Sequence, residues 1–180
     1  MTRLFSILAV AVLTTLSGFT GPALAEGHSG NEMTRLEKEV RHEIVMQPFY
    51  SVFDHFAFKV NNGEVTLMGY ASRPTLKTSI ERSVKGIEGV TSVVNEIKVL
   101  PVSPNDDRIR QAVYRAIYSN AALSRYGIQA VPPIHIIVNN GDVTLFGVVG
   151  SEQDKTIANL QANGVSGVFS VTNNLTVERD

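Results

Sequence analysis

The run Val60-Asn61-Asn62-Gly63-Glu64-Val65-Thr66-Leu67 returns as Val138-Asn139-Asn140-Gly141-Asp142-Val143-Thr144-Leu145. No other feature limits the fold as much, because a unit that occurs twice has to form the same small structure twice. Val60 to Val99 and Val138 to Val177 align at a constant offset without a gap, and about four positions in ten are identical. Between the copies only Pro101 to Pro104 reads as a linker. So short a connection predicts a fixed or nearly fixed pair of domains, over residues 32–100 and 105–180.

In the first copy Leu36, Val40 and Ile44 recur at helical spacing, which predicts an amphipathic helix from Glu32 to about Met46. After a connection through Pro48, two alternating segments flank Asn62-Gly63, a pair that accepts the positive backbone angles of a tight hairpin. Ser72 is placed to cap a second helix with Pro74 in its first turn, and Leu76, Ile80 and Val84 form its apolar stripe up to Gly86. Val93, Ile97 and Val99 make a third strand. The second copy repeats the order: a helix from about Asn105, strands Ile134 to Asn139 and Asp142 to Val149, a helix capped by Gly150 or Ser151, and a strand near Phe169 to Val177. The fold class is α+β: two tandem α-β-β-α-β modules, each a three-stranded sheet with two helices on one face. A sheet this small needs such a cover, over Phe56, Phe58, Val65 and Leu67 or over Ile134, Ile136, Val143 and Leu145. Gly63, Gly141, Gly89 and Gly167 recur at equivalent turns.

At the start, Arg3 leads into the apolar run Leu4 to Leu16 and the small-residue site Ala23-Leu24-Ala25. This predicts a signal peptide over residues 1–25, cleaved after Ala25, then a flexible leader over residues 26–31. The run is short for a membrane span, and no later stretch approaches the roughly 20 apolar residues that a spanning helix needs. With no cysteine in the chain, neither a lipid-modified cysteine nor a disulfide framework is possible. The formal net charge of -1 and the interleaving of acidic with basic residues argue against nucleic acid as a partner.

The α-β-β-α-β order, the motif Val-x-Asn-Gly-x-Val-x-Leu-x-Gly, and the closing Gly89-Val90-x-x-Val93-x-Asn95-x-Ile97-x-Val99 resemble the BON domain family. In the second copy the closing motif reads Gly167-Val168-x-x-Val171-x-Asn173-x-Leu175-x-Val177. The likeness spans nearly all of the chain after the signal peptide. It implies residence in the periplasm, a link to osmotic or related envelope stress, attachment to phospholipid surfaces or envelope proteins, and no catalysis.

The residues point to no enzyme, metal or cofactor. His28, His42, His55 and His135 have no ligand-like spacing, Gly164-Val165-Ser166-Gly167 is one residue short of a nucleophile elbow, and no phosphate loop follows a strand. Two surfaces stand out. On the first helix of the second copy, at about 100° per residue, Tyr114, Tyr118 and Arg125 fall near one line, flanked by Arg110 and Arg115. Tyrosine beside arginine suits the headgroup layer of a membrane, which makes this a candidate peripheral lipid face. The other surface is the uncovered sheet face of Ile137, Phe146 and Val148, with Lys59, Met68 and Tyr70 in the first copy. It is a candidate for packing between the domains or for a partner protein. The expected function is non-enzymatic support of the envelope through weak phospholipid contact. The alternative is a chaperone-like or adaptor module that binds envelope or unfolded proteins through the uncovered sheet face.

Overall fold

The computed structural model describes residues 34–129 and 131–178; the expected signal peptide and leader lie outside them. Thr34 and Glu37 open helix α1 (Arg35–Val45) with a reciprocal cap, the Glu37 N–H donating to Thr34 Oγ1 and the Thr34 N–H to Glu37 Oε2. Strands β1 (His55–Asn61) and β2 (Glu64–Ala71) pair antiparallel. At their turn Asn62 and Gly63 have φ of 49° and 83°, the two positive values that a two-residue hairpin matched to strand twist demands. Helix α2 (Pro74–Lys85) then returns the chain so that β3 (Ser92–Asn95) and β4 (Lys98–Val99) both run parallel to β2. A parallel return needs such a crossover.

Two local expectations change here. The residue that precedes α2 as its cap is Arg73, without a side-chain bond; Ser72 lies one residue further out, where its N–H donates to Asp54 Oδ1 at 2.6 Å. The third strand is interrupted at residues 96–97, where the Glu96 N–H turns to the Leu67 carbonyl and the Ile97 N–H to Asn95 Oδ1. The break lets Ile97 sink into the core at 1 % exposure.

The second module starts at α3 (Pro104–Tyr118), capped by Ser103 with Pro104 in the first turn. It continues through β5 (Ile134–Asn139), β6 (Asp142–Val149), α4 (Glu152–Asn163), capped by Ser151, and β7 (Ser170–Val177), parallel to β6 and unbroken. Its hairpin repeats the positive angles, 53° at Asn140 and 84° at Gly141. Both turn N–H groups are held at 2.9 Å by the buried carboxylate of Asp106. Helix α3 ends at Tyr118, and a 3₁₀ turn, Ser124–Ile128, fills the connection to β5. Arg125 therefore does not lie on the helix that carries Tyr114 and Tyr118.

Each module has its own core, Val40, Leu67, Ile80 and Ile97 at the centre of one and Ile109, Val113, Ile136 and Leu145 of the other. Burying each such side chain contributes about 1.5–3 kcal/mol. The helices cover one sheet face in both modules. Val52, which lies between α1 and β1 of the first module, belongs to the core of the second.

Candidate functional site

The connection from α1 to β1 builds the site. Gln47 is anchored by its own side chain, whose Nε2 donates to the Glu43 carbonyl at 2.9 Å and to Ser83 Oγ at 3.0 Å. The Tyr50 N–H then bonds the Gln47 carbonyl at 3.2 Å, closing a turn with Pro48 and Phe49 at its centre. Proline fixes a negative φ at the first central position, and Phe49 at the second has φ of 70°, so the turn is of type II. Glycine normally stands at that second position. Among the described residues Phe49 is the only one other than glycine and asparagine with a positive φ, and its side chain is 71 % exposed.

An aromatic residue held in a strained conformation and directed to solvent marks a place where something other than folding is served. Met46 and Val45 beside it are 64 % and 45 % exposed. The Arg73 guanidinium lies 5.2 Å from the centre of the Phe49 ring and has no carboxylate partner among the described residues. Phe49, Phe53, Arg73 and Arg110 line one cleft of about 610 Å³. Sequence reasoning missed this patch: Pro48 marks a connection, but nothing in the residue that follows it signals the positive φ.

Past the turn, Asp54 is wholly buried and organises the chain as it enters β1. Its Oδ2 accepts the Ser51 N–H at 3.0 Å and the Ser51 hydroxyl at 2.8 Å, while Oδ1 accepts Ser72 N–H. The loop so fixed lies along β5, the edge strand of the second module, where the Ile136 N–H donates to the Val52 carbonyl at 2.8 Å. Edge pairing of this kind protects an otherwise open strand. Phe53 meets Tyr114 edge-on at 6.2 Å, and Tyr50 stacks on His135 at 5.7 Å. His55 stacks on Phe146 at 4.0 Å with the rings only 3° from parallel, and His55 and His135 lie 6.0 Å apart. Burial pushes the His55 ring down to about 4, helped by the nearby charge of His135, and lowers His135 as well. Burial and Asp54 push Tyr50 up to about 12.

The five residues read from the sequence as a lipid face do not share one exposed surface. Arg110 is 6 % exposed, donates to the Val138 carbonyl at 2.8 Å and pairs with Asp107. The Tyr118 hydroxyl donates to the Ile134 carbonyl at 2.7 Å and accepts the Ile134 N–H, which fastens the start of β5; burial raises its pKa. Tyr114 packs against Tyr118 and Phe53. Arg125, beyond the helix end, is exposed but pairs at 2.5 Å with the buried Asp154, and of the four on α3 only Arg115 is exposed. A cation one residue from a core position finds carbonyls and acids to bond, and a tyrosine there buries its ring and satisfies its hydroxyl.

On the sheet face Ile137 is 2 % exposed, Phe146 is under His55, and Val148 is 48 % exposed. Val148 borders a groove of about 540 Å³ with Arg41, Val45, His55 and His135. Gly89 and Gly167 have φ of 96° and 94°. Among the described residues no three histidine or acidic side chains gather as a metal site, and no helix is long and apolar enough to cross a membrane.

The family model described as BON domain matches residues 34–101 and again 105–179. The chain belongs to the BON domain family. Two solved structures are also similar in part. One is the C-terminal domain of CdsD, a structural protein of the type III secretion system of Chlamydia trachomatis, at 15 % identity and a TM-score of 0.29, covering 83 % of this chain and 100 % of that one. The other, also of CdsD, is 13 % identical with a TM-score of 0.27, covering 78 % of this chain and 91 % of that one. At such scores the likeness carries no functional information. The BON assignment rests on the two tandem matches, which agree with the two modules of the fold.

Proposed function

We propose that this BON protein is a non-enzymatic component of the cell envelope, exported to the periplasm, which supports envelope integrity under osmotic or related stress by weak, peripheral contact with phospholipid surfaces. The observation that carries this reading is the Pro48-Phe49 turn. It projects Phe49 into solvent beside Arg73, next to the exposed Met46 and Val45 at the end of α1, and Arg41 borders a groove with Val45. Apolar side chains of this size enter the boundary between headgroups and acyl chains, while arginines meet lipid phosphates from above. The strain at Phe49 supports the same reading, since a glycine there would fold more easily and insert nothing.

Binding through the sheet face, as a chaperone-like or adaptor module would need, has less to use. Phe146 and Ile137 are covered, and only Val148 is left half in solvent.

Flotation with vesicles tests the proposal. The protein should associate more with anionic than with zwitterionic vesicles, and salt should weaken the association by screening the arginines. Phe49→Gly should reduce it roughly tenfold or more, since several apolar contacts are lost, and leave stability within about 1 kcal/mol because the turn is relieved of its strain. Undiminished association of a folded Phe49→Gly variant would refute the assignment of the patch.

A further inference from the structure

We infer that the junction between the modules is an acid-released clamp, in which His55 of the first module and His135 of the second hold the two together while neutral and part them when protonated. The inference goes beyond membrane contact and stands if that reading fails. It rests on where the two rings lie. Each is stacked on an aromatic ring across the junction, His55 on Phe146 and His135 on Tyr50, and the two are 6.0 Å apart. Protonating both sets two positive charges against each other at that distance and places each in a poorly hydrated setting.

The surrounding groups offset part of this cost and not all of it. Arg41 of α1 lines the same groove and adds a further positive charge. Tyr50 of the connection and Tyr70 of β2 are the phenols facing the pair, and Tyr50 stays neutral well above physiological pH. Burial lowers His135 most; against it, the backbone of Asp54 and of Ser51 and, last, the charge of the Asp54 carboxylate favour the protonated ring, and burial outweighs all three.

Once the modules part, hydrated rings regain their ordinary titration near 6.5, whereas His55 in the closed junction titrates near 4. The closed form is fully favoured above the ordinary value and loses its advantage as pH falls from there toward the lowered one. For His55 alone, the ratio of open to closed molecules at pH 4.5 rises by at most ~80-fold, and by less to the extent that solvent already reaches the ring. On release the first module keeps its core whole, while the second loses Val52 from its own, with the Ile136–Val52 hydrogen bond and the Phe53–Tyr114 contact.

The chain has no cysteine, so Thr75→Cys on α2 and Gln153→Cys on α4, both at exposed positions, can carry a fluorescent pair that reports the separation of the modules. Between about pH 7.5 and about pH 4 transfer efficiency should fall, with far-UV circular dichroism unchanged and with a midpoint inside the range in which an unperturbed histidine but not a buried one takes up its proton. With His55→Phe and His135→Phe added, efficiency should stay high across that range. A parent that stays closed, a parent that opens only as its circular dichroism collapses, or a double variant that opens at the parent's midpoint would each overturn the clamp. Should the double variant fail to fold, NMR titration of His55 in the parent decides: a midpoint between about 4 and 6.5 that coincides with the fall in transfer efficiency supports the clamp, and one at 6.5, or one near 4 with transfer unchanged, overturns it.

Discussion

Gly147→Ala should destabilise the second module by about 3 kcal/mol or more, a large part of the 5–15 kcal/mol that holds a domain folded. Gly147 pairs with Ile134 across β5 and β6 and has φ of 124°, in the region that L side chains avoid. A Cβ added there would lie 1.8 Å from the Pro133 carbonyl oxygen and 3.0 Å from its carbon. Backbone cannot swing aside as a side-chain tip can, so the two strands have to separate. Gly69 repeats the arrangement in the first module, its Cβ falling 2.0 Å from the His55 carbonyl oxygen. Gly150→Ala is the control, with a nearest neighbour, Tyr126 Oη, at an ordinary 3.4 Å. Urea unfolding followed at 222 nm measures the difference. A loss under about 1 kcal/mol for Gly147→Ala would mean that the β5–β6 geometry is wrong.

Asp54→Ala should cost about 3 kcal/mol, since the three donors it serves sit in partly buried places and a charged acceptor bonds them strongly. The loss is not confined to one module. Asp54 fixes the loop that delivers Val52 into the core of the second module and supplies the carbonyl for Ile136, so the variant should also loosen the junction. Asp54→Asn keeps one acceptor oxygen and should lose less than alanine does. Amide hydrogen exchange checks the second effect: faster exchange at Ile136 in Asp54→Ala is expected, and unchanged exchange there would separate the aspartate from the junction.

Hairpins and helices were legible because each has a local signal. Asn-Gly marks both turns, and the stripes of Leu36, Val40 and Ile44 or of Ile109, Val113 and Ile117 mark the helical faces. The break before Ile97 was not legible, because Val93, Ile97 and Val99 look like one strand until the Asn95 side chain is seen to turn the backbone. Tyr114 and Tyr118 were read as a surface because sequence gives a helical angle and not a depth. The acid three residues before Arg110 was a hint that its charge has a partner nearby. His55 and His135 lie in different modules, and no spacing rule brings them together. Phe49 was invisible for the opposite reason, since nothing about a phenylalanine after proline announces a positive φ.

The claim that Phe49 enters a membrane surface can be tested at that side chain, because the chain has no tryptophan. In Phe49→Trp the single indole should emit at shorter wavelength on adding anionic vesicles and be quenched by brominated acyl chains, as expected for a ring at the headgroup boundary. Tyr114→Trp should respond to neither, because that position packs between Phe53 and Tyr118. Vesicle-bound Phe49→Trp with unchanged emission and no quenching would contradict the account.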